Sequence, residues 1–132
     1  MMHSLIISIG SNTPDRWEQV NKALIWLGEF TISAKKSKIY HSKPEGSCAK
    51  KINYTYANAV YCALTALSQE EVESMLKKYE ADNGRTPQMK LFGIVPIDLD
   101  LVFFDDRLLR PQEMMRDYFK RGYEEIFPET NS

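Results

Sequence analysis

The chain has 132 residues, a formal net charge of -1 and a hydrophobic content of 43%. We therefore expect a single domain over residues 1–132 with an ordinary core. The balanced charge argues against nucleic acid as a partner, and no apolar run approaches the ~20 residues of a transmembrane helix. The composition predicts a cytoplasmic protein, with Cys48 and Cys62 as reduced thiols.

The first half of the chain alternates between strand and helix patterns. The β-branched run from Leu5 to Ile9 predicts a buried strand. A helix should follow, with Thr13 as its N-cap and Pro14 at its first position. Its apolar stripe is Trp17, Val20, Leu24 and Leu27, and it should end at Gly28. Two strands are then expected, Phe30 to Ser42 and Tyr54 to Leu64, joined by a polar loop over 43–53.

The second half repeats the helix and strand. Ser68 and Glu71 form a capping box, and the stripe behind it is Val72, Met75, Leu76 and Tyr79. Gly84 should close this helix, and an irregular segment over 85–96 leads to a fourth strand. A further helix is expected over 112–120. The order predicts an α+β, ferredoxin-like βαββαβ sandwich, an antiparallel sheet with both helices on one face and an extra C-terminal helix.

Asp98 and Asp100 interrupt the apolar run of the fourth strand. Because side chains alternate across a strand, Ile97, Leu99, Leu101 and Phe103 should lie under the helices, and the two aspartates should share the other face. Two residues along a strand are ~6.6 Å apart, so both carboxylates can reach one metal or a pair of metals. The same spacing also fits an exposed face that happens to be acidic.

The surroundings of this pair carry a family resemblance. Glu80, Gly84-Arg85, Phe92-Gly93 and Ile97-Asp98-Leu99-Asp100 together resemble the signature of the hydroxymethyl-dihydropterin pyrophosphokinases of the folate pathway. The opening Ile9-Gly10-Ser11-Asn12, the Tyr40, Pro44 and Gly46 loop, and the strand Tyr56-Ala57-Asn58-Ala59-Val60 are also similar to the family pattern. The resemblance runs in order from about Leu5 to Tyr123.

This resemblance implies an enzyme that moves the pyrophosphoryl group of ATP onto a reduced pterin. By position, Asp98 and Asp100 would bind two magnesium ions, with Arg85 and Lys90 as the catalytic cations. The implied pterin residues are Ser42, Glu45, Tyr56, Asn58, Phe92 and Tyr123, with Tyr56 and Tyr123 on either side of the ring. The implied nucleotide residues are Lys77, Glu80 and Arg121. ATP and pterin are the expected partners of a monomer or weak homodimer, with no membrane partner.

Departures from the family pattern concern the cations around the phosphates. Pro87, Leu91 and Val95 stand where arginines are usual, and Phe92 replaces a tryptophan. Lys90 can substitute for one lost arginine, although an ammonium does not reproduce a guanidinium fork. The tail arginines Arg107, Arg110 and Arg116 add positive charge and also fit a solvated helix face. Two interpretations therefore stay open, a pyrophosphokinase with weakened activity and a non-catalytic binder of pterin or another flat heterocycle.

Overall fold

An antiparallel sheet organises the computed structural model, which describes residues 1–43 and 55–128. The strands pair in the order β2-β4-β1-β5-β6, and β3 also pairs with β4. Their bounds are β1 His3–Ser11, β2 Ile32–Lys36, β3 Tyr40–Ser42, β4 Tyr56–Thr65, β5 Asp98–Phe104 and β6 Arg107–Leu108. In the described residues the helices are α1 Arg16–Leu27, α2 Gln69–Asp82, α3 Pro87–Leu91, α4 Pro111–Met114 and α5 Asp117–Ile126.

The helices α1 and α2 pack on one face of the sheet. One buried cluster joins apolar residues of both helices to the inward residues of β1, β4 and β5. Trp26 of α1 and Tyr79 of α2 link the two helices, with ring centroids 4.3 Å apart. This arrangement confirms the predicted α+β, ferredoxin-like class. No helix among the described residues combines the length and the apolar character needed to cross a bilayer.

The C-terminal helix α5 covers part of the opposite face. Its Phe119 is fully buried and forms a second cluster with Val60 of β4 and Val102 of β5. One predicted strand face, that of Phe103, is wrong here. A register shift between Ile6 and Ile7 disturbs the pairing of β1 with β5. Beyond it, Phe104 joins the helix-side core, and Phe103 packs in the α5 cluster instead of under the helices.

Several predicted boundaries also differ. Helix α1 begins at Arg16 with Asp15 as its N-cap, so Thr13 and Pro14 form the preceding turn, and Trp17 is 49% exposed. The strand expected over 30–42 divides into β2 and β3, and the helix expected over 112–120 is α4 followed by α5. The capping box of Ser68 and Glu71 is confirmed at the start of α2. Cys62 is a free thiol, and Cys48 lies outside the described residues.

The segment over 85–96 is more ordered than predicted. It contains α3, whose N-cap Thr86 accepts a hydrogen bond from the Met89 backbone N–H. Its far end is fixed by the buried side chain of Asn12, which donates to the Gly93 carbonyl at 2.7 Å and accepts from the Val95 N–H at 2.6 Å. The residues before β5 are therefore tied to the end of β1.

Helix α5 approaches β4 closely because residue 122 lacks a side chain. A Cβ atom on Gly122 would lie 2.5 Å from Val60 Cγ2 and 2.7 Å from the Tyr40 hydroxyl. The Tyr40 hydroxyl also accepts from the Gly122 N–H at 3.2 Å and donates to the Tyr118 carbonyl. Burial raises the pKa of Tyr40 to about 12.

Gly122→Ala should therefore destabilise the fold by ~1–3 kcal/mol, although alanine is the better helix former. Urea unfolding followed by circular dichroism measures the change. The matched control is Glu124→Ala at an exposed position of the same helix, which we expect to lie within ~0.5 kcal/mol of the parent. A Gly122→Ala variant as stable as the parent would contradict the close approach.

Candidate functional site

Small residues on the central strand open a depression on the α5 side of the sheet. Ser8 and Gly10 of β1 pair with Asp100 and Asp98 of β5, and Gly10 pairs with Asn58 of β4. Directly paired residues point to the same face of a sheet, so all five side-chain positions share one surface. Because Ser8 is small and Gly10 has no side chain, the neighbouring polar groups line a cavity instead of a packed core.

The two aspartates lie on the face predicted from strand alternation. Ile97, Leu99 and Leu101 are buried on the helix side, whereas the Asp98 and Asp100 side chains are 35% and 23% exposed on the other. Two half-buried carboxylates on one face repel each other and lose hydration. The alternative of a freely solvated acidic face does not describe this geometry.

Arg85 holds part of this negative charge. Its Nη1 atom lies 2.6 Å from Asp98 Oδ1 and 3.0 Å from Glu80 Oε2. The same Glu80 oxygen accepts from the Leu99 backbone N–H at 2.7 Å, which ties α2 to β5. Burial raises the pKa of Glu80 despite these donors. Glu80, Arg85 and Asp98, which are separated in sequence, thus form one hydrogen-bonded group.

Asp100 is less well compensated than Asp98. Its nearest cation is Arg110, whose Nε lies 3.8 Å from Asp100 Oδ1, beyond hydrogen-bonding distance. Burial, followed by the nearby charges of Asp98 and Glu113, raises the pKa of Asp100 to about 8. Such a site favours any cation that approaches it, because the cation would offset the lost hydration.

A first cavity, of about 220 Å³, lies on the strand β3 and β4 side of the aspartates. Tyr56 and Tyr118 supply aromatic rings, and Asn58 Nδ2 donates to Ser42 Oγ at 2.7 Å. The Tyr118 hydroxyl donates to Glu113 Oε1 at 2.9 Å, and burial together with that charge raises the pKa of Tyr118. The full lining is Ser8, Ile9, Gly10, Ser42, Lys43, Tyr56, Asn58, Asp98, Asp100, Gln112, Glu113, Arg116 and Tyr118.

A second cavity, of about 210 Å³, lies on the α2 side of the same aspartates. Three cations contribute to it, Lys77 and Arg85 from the region of α2 and Arg110 from the segment after β6. Glu73, Glu80 and the apolar Leu76, Leu99 and Leu101 complete it with the two aspartates. Asp98 and Asp100 are common to both linings, so the pair lies where a group could pass from one cavity to the other.

The structure brings together most of the candidate site residues. Those that line the two cavities are Ser42, Tyr56, Asn58, Lys77, Glu80, Arg85, Asp98 and Asp100. Phe92 is 62% exposed at the end of α3, and neither it nor the exposed Lys90 belongs to either lining. Glu45 lies outside the described residues.

Tyr123 and Arg121 are not in these cavities. Tyr123 packs among Phe103, Phe119 and Phe127 in the α5 cluster, and the Arg121 guanidinium lies 4.7 Å from the centroid of the Tyr40 ring. Their sequence, Arg-x-Tyr, also occurs five residues earlier as Arg116-Asp117-Tyr118. That earlier copy lines the first cavity. The repeated spacing is the sequence signal that could have indicated Tyr118, and Arg116 was already named among the tail arginines.

The Asp98 and Asp100 oxygens are donors of the kind that magnesium and other hard cations bind. Within residues 1–43 and 55–128, no group of three or more His, Cys, Asp or Glu side chains is arranged to hold a metal by itself. A cation bound between the two carboxylates would therefore take further oxygen ligands from water or from a phosphorylated ligand.

Comparison with known proteins identifies the family. The family model described as 7,8-dihydro-6-hydroxymethylpterin-pyrophosphokinase matches residues 6–128. The chain belongs to this pyrophosphokinase family. A 2-amino-4-hydroxy-6-hydroxymethyldihydropteridine pyrophosphokinase of Aquifex aeolicus is 30% identical over 135 aligned positions, which cover 96% of this chain and 82% of that protein.

Plant relatives of the family are longer. A folate synthesis bifunctional protein of Arabidopsis thaliana is 28% identical over 83% of this chain and 23% of its own length. A mitochondrial folate synthesis bifunctional protein of Pisum sativum is 30% identical over 76% of this chain and 19% of its own length. The chain thus corresponds to about a fifth of these plant proteins.

Charge repulsion at this pyrophosphokinase-family site predicts a stabilising substitution. Asp100→Asn should raise the unfolding temperature by ~3–5 °C near pH 8 in EDTA, because it removes a desolvated charge. In the folded protein the pKa of Asp100 is about 8, above its ordinary value of 3.8. The contribution of this carboxyl to the stability of the fold therefore falls as the pH rises between those two values. The gain should therefore shrink at about pH 5. Differential scanning calorimetry checks this.

The control for that measurement is Asp106→Asn, an exposed aspartate in the turn between β5 and β6. It should leave the unfolding temperature nearly unchanged at both pH values. An Asp100→Asn variant that unfolds at a lower temperature than the parent near pH 8 would contradict the charge repulsion, because it would show that the ionised Asp100 stabilises the fold.

Proposed function

We propose that this chain transfers the β,γ-pyrophosphoryl group of ATP to the hydroxymethyl group of 6-hydroxymethyl-7,8-dihydropterin in folate synthesis. Family membership over residues 6–128 supports the reaction. The observation that carries the proposal is the shared position of Asp98 and Asp100 between the two cavities. A pterin on one side and a triphosphate on the other would meet at the two carboxylates.

The transfer is a displacement at the β-phosphorus. The hydroxymethyl oxygen forms a bond to that phosphorus, and the bond from the phosphorus to the oxygen bridging to the α-phosphate breaks. AMP leaves with that electron pair, and the hydroxyl proton passes to solvent. Such reactions depend on positioning and on charge stabilisation, so the contribution of the chain is to hold the two substrates in line.

The first cavity suits a flat heterocycle. Tyr56 and Tyr118 offer ring faces, and each offset-stacked ring contributes ~1 kcal/mol beyond burial. The buried Asn58 amide can hydrogen-bond the pyrimidine edge of a pterin, and its bond to Ser42 fixes its orientation. We assign to Tyr118 the stacking role that the family resemblance implied for Tyr123, because Tyr118 lines this cavity.

The residues at the boundary of the cavities fit magnesium. Asp98 and Asp100 supply hard oxygen donors, and the poorly compensated charge of Asp100 favours an added cation. When bound, magnesium would neutralise phosphate oxygens and polarise the transferred group. Arg85 would orient Asp98 from the α2 side through its bond at 2.6 Å.

A pterin-binding protein without catalysis is the second candidate. It is favoured by Pro87, Leu91 and Val95, which stand where the family usually has arginines, and by the position of Lys90 outside the cavity linings. If the first candidate holds, the smaller cationic set should give slow turnover. Loss of one well-placed donor costs ~100-fold or more in rate.

AMP release from ATP and magnesium, with and without 6-hydroxymethyl-7,8-dihydropterin, tests the enzyme. We expect pterin-dependent AMP from the parent, and a fall on the order of 100-fold or more in an Asp98→Asn, Asp100→Asn double variant. Asp106→Asn, which removes one exposed carboxylate outside both cavities, serves as the control and should retain the parent rate. No AMP from the folded parent would favour the binding protein.

The two Arg-x-Tyr copies give a test of the pterin cavity. Tyr118→Leu should raise the Kd for the pterin by ~5–10-fold, because it removes a stacking face worth ~1 kcal/mol. Tyr123→Leu should leave that Kd unchanged and lower the unfolding temperature, because Tyr123 packs in the α5 cluster. Fluorescence titration with pterin measures the Kd of both variants, and thermal unfolding measures the effect of Tyr123→Leu on stability. Equal Kd values for the Tyr118→Leu variant and the parent would exclude Tyr118 from the site.

A further inference from the structure

We infer that Arg110 binds the β,γ-phosphate oxygens of ATP and replaces part of the charge missing from the segment over 85–96. The inference rests on the proposed function, since it assigns a ligand to the second cavity. It concerns a tail arginine that composition alone does not distinguish from Arg107 or Arg116.

Arg110 lies at the wall of the second cavity. It lies in the chain between β6 and α4. Arg85 comes before β5 and Arg110 comes after it, so the two arginines approach the aspartates from different segments of the chain. It lines the cavity with Asp98 and Asp100, and its side chain remains 46% exposed. A guanidinium at the wall of a cavity and open to solvent can meet an incoming ligand.

Arg110 also differs from Arg85 in its free hydrogen-bond donors. Arg85 already bonds Glu80 and Asp98 at 3.0 and 2.6 Å, so its role is to hold the carboxylates. Within the described residues, the one ion-pair partner of Arg110 is Asp100, at 3.8 Å. That separation leaves the guanidinium donors available, and their planar fork matches two phosphate oxygens.

The segment over 85–96 supplies few other cations to the site. Beyond Arg85, the positions where arginines would be expected hold Pro87, Leu91 and Val95, and Lys90 is exposed on α3 outside both cavity linings. A triphosphate in the second cavity would therefore meet Lys77 and Arg110 as its cations with free donors. Of the two, Arg110 is the one beside the aspartates.

The chain offers a matched control three residues away. Arg107 belongs to the same hairpin, but its guanidinium lies 5.9 Å from the centroid of the Phe104 ring, on another side of β5. It does not line either functional cavity. Arg107→Ala therefore removes the same charge from the same segment without touching the site.

The test is calorimetric titration, in magnesium, of the α,β-methylene analogue of ATP, which cannot be cleaved between the α- and β-phosphates. Arg110→Ala should raise the Kd of the analogue by ~10–100-fold, and Arg110→Lys should restore part of the lost affinity. AMP, which has no β- or γ-phosphate, should bind the parent and Arg110→Ala equally. Arg107→Ala should bind the analogue like the parent.

An unchanged Kd of the analogue in Arg110→Ala would overturn the inference. An equal loss for AMP and for the analogue would also overturn it, because it would indicate an effect on the adenosine end or on the fold. The Kd of Arg110→Ala for the pterin should differ from that of the parent by less than ~2-fold, which checks that the first cavity is intact. If the parent binds the analogue in an Arg110-dependent way but releases no AMP from ATP, the proposed enzymatic activity is wrong and the phosphate-binding role of Arg110 is supported.

Discussion

Two like charges lie on one face of the internal strand β5, and the groups around them are arranged to offset that charge. Asp98 and Asp100 lose hydration on the face that α5 partly covers, and each must be offset from elsewhere in the chain. Asp98 is held by Arg85, which α2 positions through Glu80. Asp100 is left with a distant arginine and a raised pKa. This poorly compensated charge lies at the point where the two cavities meet.

The two faces of the sheet differ in role: one is covered by the apolar core, and the other carries the candidate site. Beneath α1 and α2, the inward residues of β1, β4 and β5 form a conventional apolar core that supplies the stability. On the other face, the same central strand carries small residues, Ser8 and Gly10, and so leaves space. Helix α5 covers only part of this face, and the uncovered part is the candidate site.

Local sequence patterns predicted the features that depend on neighbours in the chain. The alternation in β5 placed both aspartates correctly, and the capping box located the start of α2. Glu80 and Arg85 could be assigned to the site only through a family resemblance, because no local pattern brings α2 to β5. The face of Phe103 was wrong because pairing irregularities between β1 and β5 are not visible in the sequence of a single strand.

The surroundings of Tyr123 and Tyr118 depend on tertiary contacts. The family resemblance implied Tyr123 as a pterin residue, and the Arg-x-Tyr spacing that both share does not show which of them lines a cavity. Gly122 lies against Val60, and both tyrosines pack beside the α5 cluster, but of the two it is Tyr118 that also lines the first cavity. Lys90 and Phe92 stayed outside the cavities because the 85–96 segment forms α3 and is fixed at its end by Asn12.

The Tyr40 hydroxyl connects two walls of the first cavity. It bonds α5 at both the Tyr118 carbonyl and the Gly122 N–H, and β3, which carries Tyr40, also carries Ser42. The α5 backbone at Tyr118 is therefore tied to the strand that carries Ser42, the partner of Asn58, before any ligand enters. A ligand that binds against this part of the wall would therefore lose little affinity to the ordering of the protein around it.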